Sequence, residues 1–206
     1  MIKPLLFLNK NNYRQNNKFF FDNVYRNYNR FISDDDHQRS YFDEHILDLV
    51  TSGELCNDKI DHEEIAEQLY SSDLILILVD YSEVETGSGD GKVIGFALVS
   101  YINRSSGGYC KLDILCGSGR GSGSQLLNLI VDIIFNTGVT KITVDSLKSA
   151  ETFYLSRGFE ILQKTPYFTK MVKNITGGSK TIRLIKSKKS KKNKNKKISK
   201  TKKQKY

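Results

Sequence analysis

Long apolar runs are missing from this chain. None of its 206 residues lies in an uninterrupted apolar stretch of about 18, the length of a membrane-spanning helix. The opening Met1–Leu8 holds an apolar segment too short for a secretory signal. A soluble, intracellular protein with no membrane partner is expected, cytoplasmic unless the lysine-rich C-terminus directs nuclear import. Cysteine is scarce: Cys56, Cys110 and Cys116 are odd in number and lack C-x-x-C spacing. That pattern points to buried small hydrophobes and away from a disulfide scaffold or a zinc site. His37, His45 and His62 are scattered, with no i, i+4 pair, so no metal is expected and surface or capping roles are.

Acidic residues are absent from positions 180–206, which hold 14 of the 32 Lys and Arg. The formal charge of +9 therefore misdescribes the body, where 18 basic residues face 23 acidic ones for a net charge of −5. Any pull on polyanions belongs to the tail. Hydrophobic residues make up 38% of the chain, enough for a core in one domain and too many for disorder throughout.

The composition divides the chain into three. Residues 1–40 form an extension with eight asparagines before position 30, and asparagine competes with helix and strand ladders for backbone hydrogen bonds. Phe19, Phe20, Phe21, Tyr25 and Phe31 could nevertheless anchor a strand or helix there. Residues 41–178 carry the periodic patterns of a folded domain. Residues 179–206, rich in lysine, serine and asparagine, cannot bury apolar surface and should be disordered.

Within the domain, Phe42, His45, Ile46, Leu49 and Val50 recur at helical spacing, and Ile60, Ile65 and Leu69 predict a second short helix, with Asp61 and Glu64 as a capping box. Leu74–Val79 and Val93–Val99 read as strands joined across Thr86–Gly91, and Tyr109–Cys116 as a third after the turn at 105–108. Three such strands make an antiparallel meander. An amphipathic helix through Leu126, Leu127, Ile130, Ile133 and Ile134 follows, ended by Asn136-Thr137-Gly138, and Val139–Val144 returns as a strand parallel to the third. Ser149 is the expected N-cap of a short helix ending at Gly158, and residues 160–173 form a last hairpin.

Between the third strand and its helix lies Gly117-Ser118-Gly119-Arg120-Gly121-Ser122-Gly123-Ser124. Alternating glycines let the backbone approach a ligand closely, the helix start offers unpaired amides and a positive dipole end, and Arg120 adds a charge. A phosphate or pyrophosphate is the natural occupant, and a flexible glycine-serine turn is the plainer alternative. Neither G-x-x-x-x-G-K-[ST] nor G-x-G-x-x-G fits, since no lysine is present and Ser122 or Ser124 falls on the last glycine position.

Leu115–Leu127 resembles motif A of GNAT-type N-acetyltransferases, with Gly121 and Gly123 on the final small positions and Ser118 where the family usually has Arg or Gln. Ala150-Glu151-Thr152-Phe153-Tyr154-Leu155-Ser156-Arg157-Gly158-Phe159 resembles motif B, A-x-x-F-Y-x-x-x-G-F, at every fixed position. Gly95 sits in a strand similar to the family's Val-Ile-Gly-Phe strand. The resemblance covers roughly residues 41–173. It implies a mixed α/β (α+β) acyl-CoA N-acyltransferase fold: a mostly antiparallel sheet with a splayed parallel strand pair and flanking helices. It also implies an acyltransferase that moves acetyl from acetyl-CoA, its co-substrate, directly to an amine on a small molecule or protein. Ile114, Leu115 and Cys116 would line the pantetheine arm, and Ser118, Gly119, Arg120, Gly121, Ser122, Gly123 and Ser124 the pyrophosphate. Tyr154 would protonate the leaving thiolate.

The resemblance leaves the base, the acceptor and the oligomeric state open. Asp113 and Asp145 are candidate bases, each also suited to a solvent-facing or capping role. Cys116 lacks a histidine partner and is not read as a nucleophile. The alternative is a non-catalytic acetyl-CoA-binding protein, or one that contacts nucleic acid nonspecifically through its basic tail, where aromatic stacking residues are missing except Tyr206.

Overall fold

The computed structural model describes residues 1–9, 18–28, 32, 54–56, 60, 62–82, 91–104, 108–119 and 121–175. Among these residues seven strands form one sheet in the order β1-β2-β3-β4-β5-β7-β6. β1 (Ile2–Leu8), β2 (Leu74–Asp80), β3 (Lys92–Ile102) and β4 (Tyr109–Gly117) pair antiparallel in succession. β5 (Lys141–Leu147) lies parallel to β4, and β7 (Phe168–Asn174) runs antiparallel between β5 and β6 (Glu160–Lys164). Among the described residues four helices flank the sheet: α1 (Lys18–Tyr28), α2 (His62–Ser71), α3 (Ser122–Asn136) and α4 (Glu151–Leu155).

The apolar run of β2 reflects burial on both faces, as in strands covered from two sides. Leu74, Leu76 and Leu78 join a core with Phe20, Val24, Leu126, Ile130 and Ile133, under α1 and α3. Ile75 and Ile77 alternate to the opposite core with Phe7, Ile65, Leu69, Phe96 and Leu98, under α2. Full burial of each such side chain stabilises by roughly 1.5–3 kcal/mol. Among the described residues no helix is long and apolar enough to cross a membrane.

Residues 1–40, set apart above as an extension, contribute β1 at the sheet edge and helix α1. Phe20, Phe21, Val24 and Tyr28 recur at helical spacing on the buried face of α1. Phe20 stacks on Tyr101 with ring centroids 4.9 Å apart, and the Tyr28 hydroxyl donates to the Asp132 carbonyl at 3.2 Å while accepting from Asn136 at 2.6 Å. Tertiary burial of the aromatics outweighs the asparagine bias here. Helix α2, strands β2 to β5 and the last hairpin stand where the spacing predicts them, and Gly138 and Gly158 take positive φ at the ends of α3 and α4.

Two expectations are corrected. Cys56 and Cys116 form a disulfide, leaving Cys110 as the free, buried thiol. Their separation of 60 residues hides in sequence what the fold brings together, since Leu55 and Cys56 pack in the α2-side core beside Cys116. Ser149 is not an N-cap: Lys148–Ala150 is a 3₁₀ turn running straight into α4, whose cap residue Ala150 makes no side-chain cap bond. The expected helix around Phe42–Val50, Asp61 of the capping box, most of Thr86–Gly91, positions 105–107, Arg120 and the basic tail lie outside the described residues.

Candidate functional site

The parallel pairing of β4 with β5 lasts three positions, from Cys110↔Ile142 to Leu112↔Val144. Both strands then continue unpaired to each other, to Gly117 and Leu147. The cause lies in the next ladder: Val99 faces Leu112 but Leu98 faces Ile114, so Asp113 is an extra residue and β4 bulges. Side-chain alternation flips at the bulge. Cys110 and Leu112 point into the α3-side core, Ile114 and Cys116 into the α2-side core. Beyond the bulge β4 offers about 15 Å of strand whose β5-facing amides and carbonyls lack a strand partner.

That open edge leads into the glycine loop. Gly119 and Gly121 have φ of 82° and 96°, and a Cβ on either would meet nothing within 4 Å, so the loop's outer side is clear. Such φ values favour glycine, because a side chain would cost about 1–2 kcal/mol there. Gly121 is the N-cap residue of α3 and has no side chain to cap with. Among the described residues nothing accepts from the first-turn amides of Ser122, Gly123 and Ser124, while Gln125 already donates to the Gly121 carbonyl at 3.0 Å. Uncapped amides at the positive end of a 15-residue helix suit a phosphate or pyrophosphate.

Ser118 does not face that space as a donor. Its amide and hydroxyl both turn back to the Ile94 carbonyl, at 2.9 and 3.3 Å, and pin the loop to β3. Ser122 likewise bonds the carbonyls of Ser118 and Gly119. Among the described residues the fixed cation at the helix start is Arg157, on the turn after α4. It donates to Ser124 Oγ, to Ser156 Oγ and to the Phe153 carbonyl, and lies over the Phe153 ring at 3.7 Å. Sequence reasoning passed over Arg157 because it occupies a variable position of motif B. Its signal was its place three residues after Tyr154, beside a helix expected to pack near the loop.

Tyr154 sits on α4, which packs against β5, with its ring buried between Phe153 and Phe159 at centroid distances of 5.0 and 5.2 Å. Desolvation raises the phenol above its ordinary range despite the opposing charge of Arg157. No hydrogen bond to its hydroxyl occurs among the described residues. Since no fully buried polar side-chain atom there lacks a partner, this oxygen opens to solvent. A neutral phenol at physiological pH can give a proton and is unsuited to accept one.

On the α2 side of the splay, Asp113 accepts from Ser100 Oγ at 2.6 Å and Ser72 Oγ at 3.4 Å, and Lys111 lies 3.6 Å away. Burial raises its carboxyl above the usual value, against the lowering by Ser100 and Lys111. Lys111 also reaches Asp145 at 3.4 Å, so one ammonium spans the two candidate bases across the mouth of the splay. Burial pushes the Cys110 thiol well up, with Asp73 and Asp113 adding to the effect, which makes it inert. The structure thus gathers Ile114, Leu115 and Cys116 on one open edge and Ser118, Gly119 and Gly121–Ser124 at its end. Tyr154 is tied to that helix start through Phe153, 3.6 Å from where a Gly123 Cβ would stand, and through Arg157.

No family model matches the chain, and no curated protein does. Solved structures do match it in fold, at low sequence identity. An acetyltransferase of the GNAT family from Staphylococcus aureus is 12% identical over 85% of this chain and 100% of that one, with TM-score 0.45. N-acetylglutamate synthase from Neisseria gonorrhoeae, complexed with coenzyme A and N-acetyl-glutamate, is 16% identical over 70% and 34%, with TM-score 0.46. Aminoglycoside 6'-acetyltransferase type Ii is 18% identical over 70% and 97%, with TM-score 0.46. In fold class the chain is mixed α/β, among the described residues a seven-stranded, mostly antiparallel sheet with one splayed parallel pair, and acetyltransferases of the GNAT family are among the solved structures it resembles.

Proposed function

We propose that this protein is an N-acetyltransferase that moves the acetyl group of acetyl-CoA directly to an acceptor amine. The observation that carries the reading is the continuity of an unpaired strand edge with an uncapped helix start, through a loop whose outer side is clear. The amides of Ser122, Gly123 and Ser124 would hold the pyrophosphate, and Arg157 would supply the fixed charge that Ser118 does not. Peptide groups of Ile114–Gly117 would pair with the amides of the pantetheine arm as a missing strand does.

The transfer forms one N–C bond and breaks one C–S bond, and the amine's proton must leave while the thiolate gains one. Tyr154, kept neutral by burial, would give the proton to sulfur. Asp113, buried at the bulge with a raised carboxyl, would take the proton from the amine, directly or through water. Cys116, held in its disulfide, is excluded as an acyl carrier.

Calorimetry of acetyl-CoA binding tests the reading on three proteins: the full chain, Gly121→Asp, and the chain ended at Gly178. Loss of at least tenfold in affinity in the loop variant alone is expected, because a carboxylate placed at the helix start repels the pyrophosphate. No binding by the folded full chain overturns it. Acetyl-CoA binding lost with the tail would favour the tail-driven alternative.

A further inference from the structure

A cavity of about 320 Å³ opens on the α2-side face of the sheet where β4, β5 and β7 run side by side. Its wall includes Arg104, Tyr109, Thr140, Lys141, Thr143 and Lys170. The face follows from strand alternation: Ile142, Val144 and Met171 point into the α3-side core, so Lys141, Thr143 and Lys170 point the other way. Lys111, Asp113 and Asp145 share that face, one register step from the end of the parallel pairing.

Charge and hydrogen bonding in the cavity are unbalanced. No carboxylate lies within ion-pair distance of Arg104, Lys141 or Lys170 among the described residues, whereas Lys111 is satisfied by two. Arg104 is held over the Tyr109 ring at 5.3 Å, which keeps its guanidinium at the rim. Thr143 is 8% exposed, faces the cavity, and its hydroxyl has no partner among the described residues. Three unpaired cations around the unpartnered hydroxyl of a nine-tenths buried threonine are complementary to a compact oxyanion, which would accept from all four.

We propose that this cavity binds the phosphate or carboxylate of the acceptor, so that the acceptor is an amine carrying an anionic group. That the oxyanion belongs to the acceptor rests on the acetyl transfer proposed above; the anion site itself does not. The mild net negative charge of the body would suggest a cationic acceptor, but the local field beside the splay has the opposite sign.

The test has two arms on the full chain. In the first, inorganic phosphate and O-phosphoethanolamine are titrated calorimetrically into the wild type, Lys141→Glu, Lys170→Glu, Thr143→Val and Gly121→Asp. Lys141 and Lys170 are exposed, so their variants keep the fold. At least a tenfold loss of one binding event in each lysine variant and about a fivefold loss of it in Thr143→Val are expected, with that event kept in Gly121→Asp, which removes only phosphate held at the helix start. Absent binding, or binding lost in Gly121→Asp and kept in the lysine variants, overturns the site. In the second arm, CoA release from acetyl-CoA is compared for O-phosphoethanolamine, glycine and a polyamine. Turnover of the phosphorylated amine or glycine at least tenfold above the polyamine supports the acceptor class and tells phosphate from carboxylate. Turnover of the polyamine alone overturns that class. Anion binding with intact lysine dependence but no turnover of any amine leaves the site standing and sinks the transferase reading.

Discussion

Tyr154 shows how one side chain can be legible in sequence for its position and illegible for its state. The A-x-x-F-Y spacing places it, but only the fold puts Phe153 and Phe159 around its ring and raises its phenol. Tyr154→Phe keeps the ring packing and removes the hydroxyl, which has no structural partner to lose. Its turnover is therefore expected to fall about 10²-fold with acetyl-CoA affinity within twofold and the unfolding midpoint unchanged; unaltered turnover would remove Tyr154 from the chemistry. Arg157 makes the converse case. Its place three residues after Tyr154 is its one mark in the sequence, and its role comes from a neighbour, Ser124, 33 residues away.

Among the elements, the β4 bulge does the most to shape the site, and it could not be read from Tyr109–Cys116. Alternation was visible there, yet a bulge is a mismatch between two strands and leaves no mark in either alone. The glycine loop and α3 were legible because loop composition and helix period are local properties. At the bulge, Asp113 joins the end of α2 through Ser72, β3 through Ser100 and β5 through Lys111. Its carboxyl is raised by burial, so between its unfolded and folded values the folded protein binds more protons than the unfolded chain. Its contribution to stability is thus fully present below the ordinary carboxylate range and is lost as pH rises through the folded value. Asp113→Asn should abolish that dependence. Urea midpoints from pH 3 to 7 should show wild type losing ground to the variant as pH rises; a constant difference would mean that the carboxyl is not strained by burial.

At the level of the whole molecule, charge was readable as a sum along the chain but not as a map. The basic tail was evident, whereas the cluster of Arg104, Lys141 and Lys170 needed three separate elements to meet. The place of the possible first strand in residues 1–40 was hidden for the same reason, since β1 finds its partner, β2, some 70 positions later. The disulfide is the clearest example. In the chain-entropy picture a closed loop of 60 residues stabilises by about 4 kcal/mol, so Cys56→Ser should lower the denaturant midpoint by a comparable free energy. A variant as stable as untreated wild type would show that the two thiols stand open in solution.

The same bond changes what a cut in the backbone means. Cys56 and Cys116 bracket α2, β2, β3 and all but the last residue of β4, so the segment between Ser82 and Gly91 lies inside a covalent circuit. A protease that severs it produces two polypeptides still tethered to each other, each holding strands that the other needs for its edges. The nicked protein should migrate as one species until a thiol reagent is added, and should keep its sheet until then.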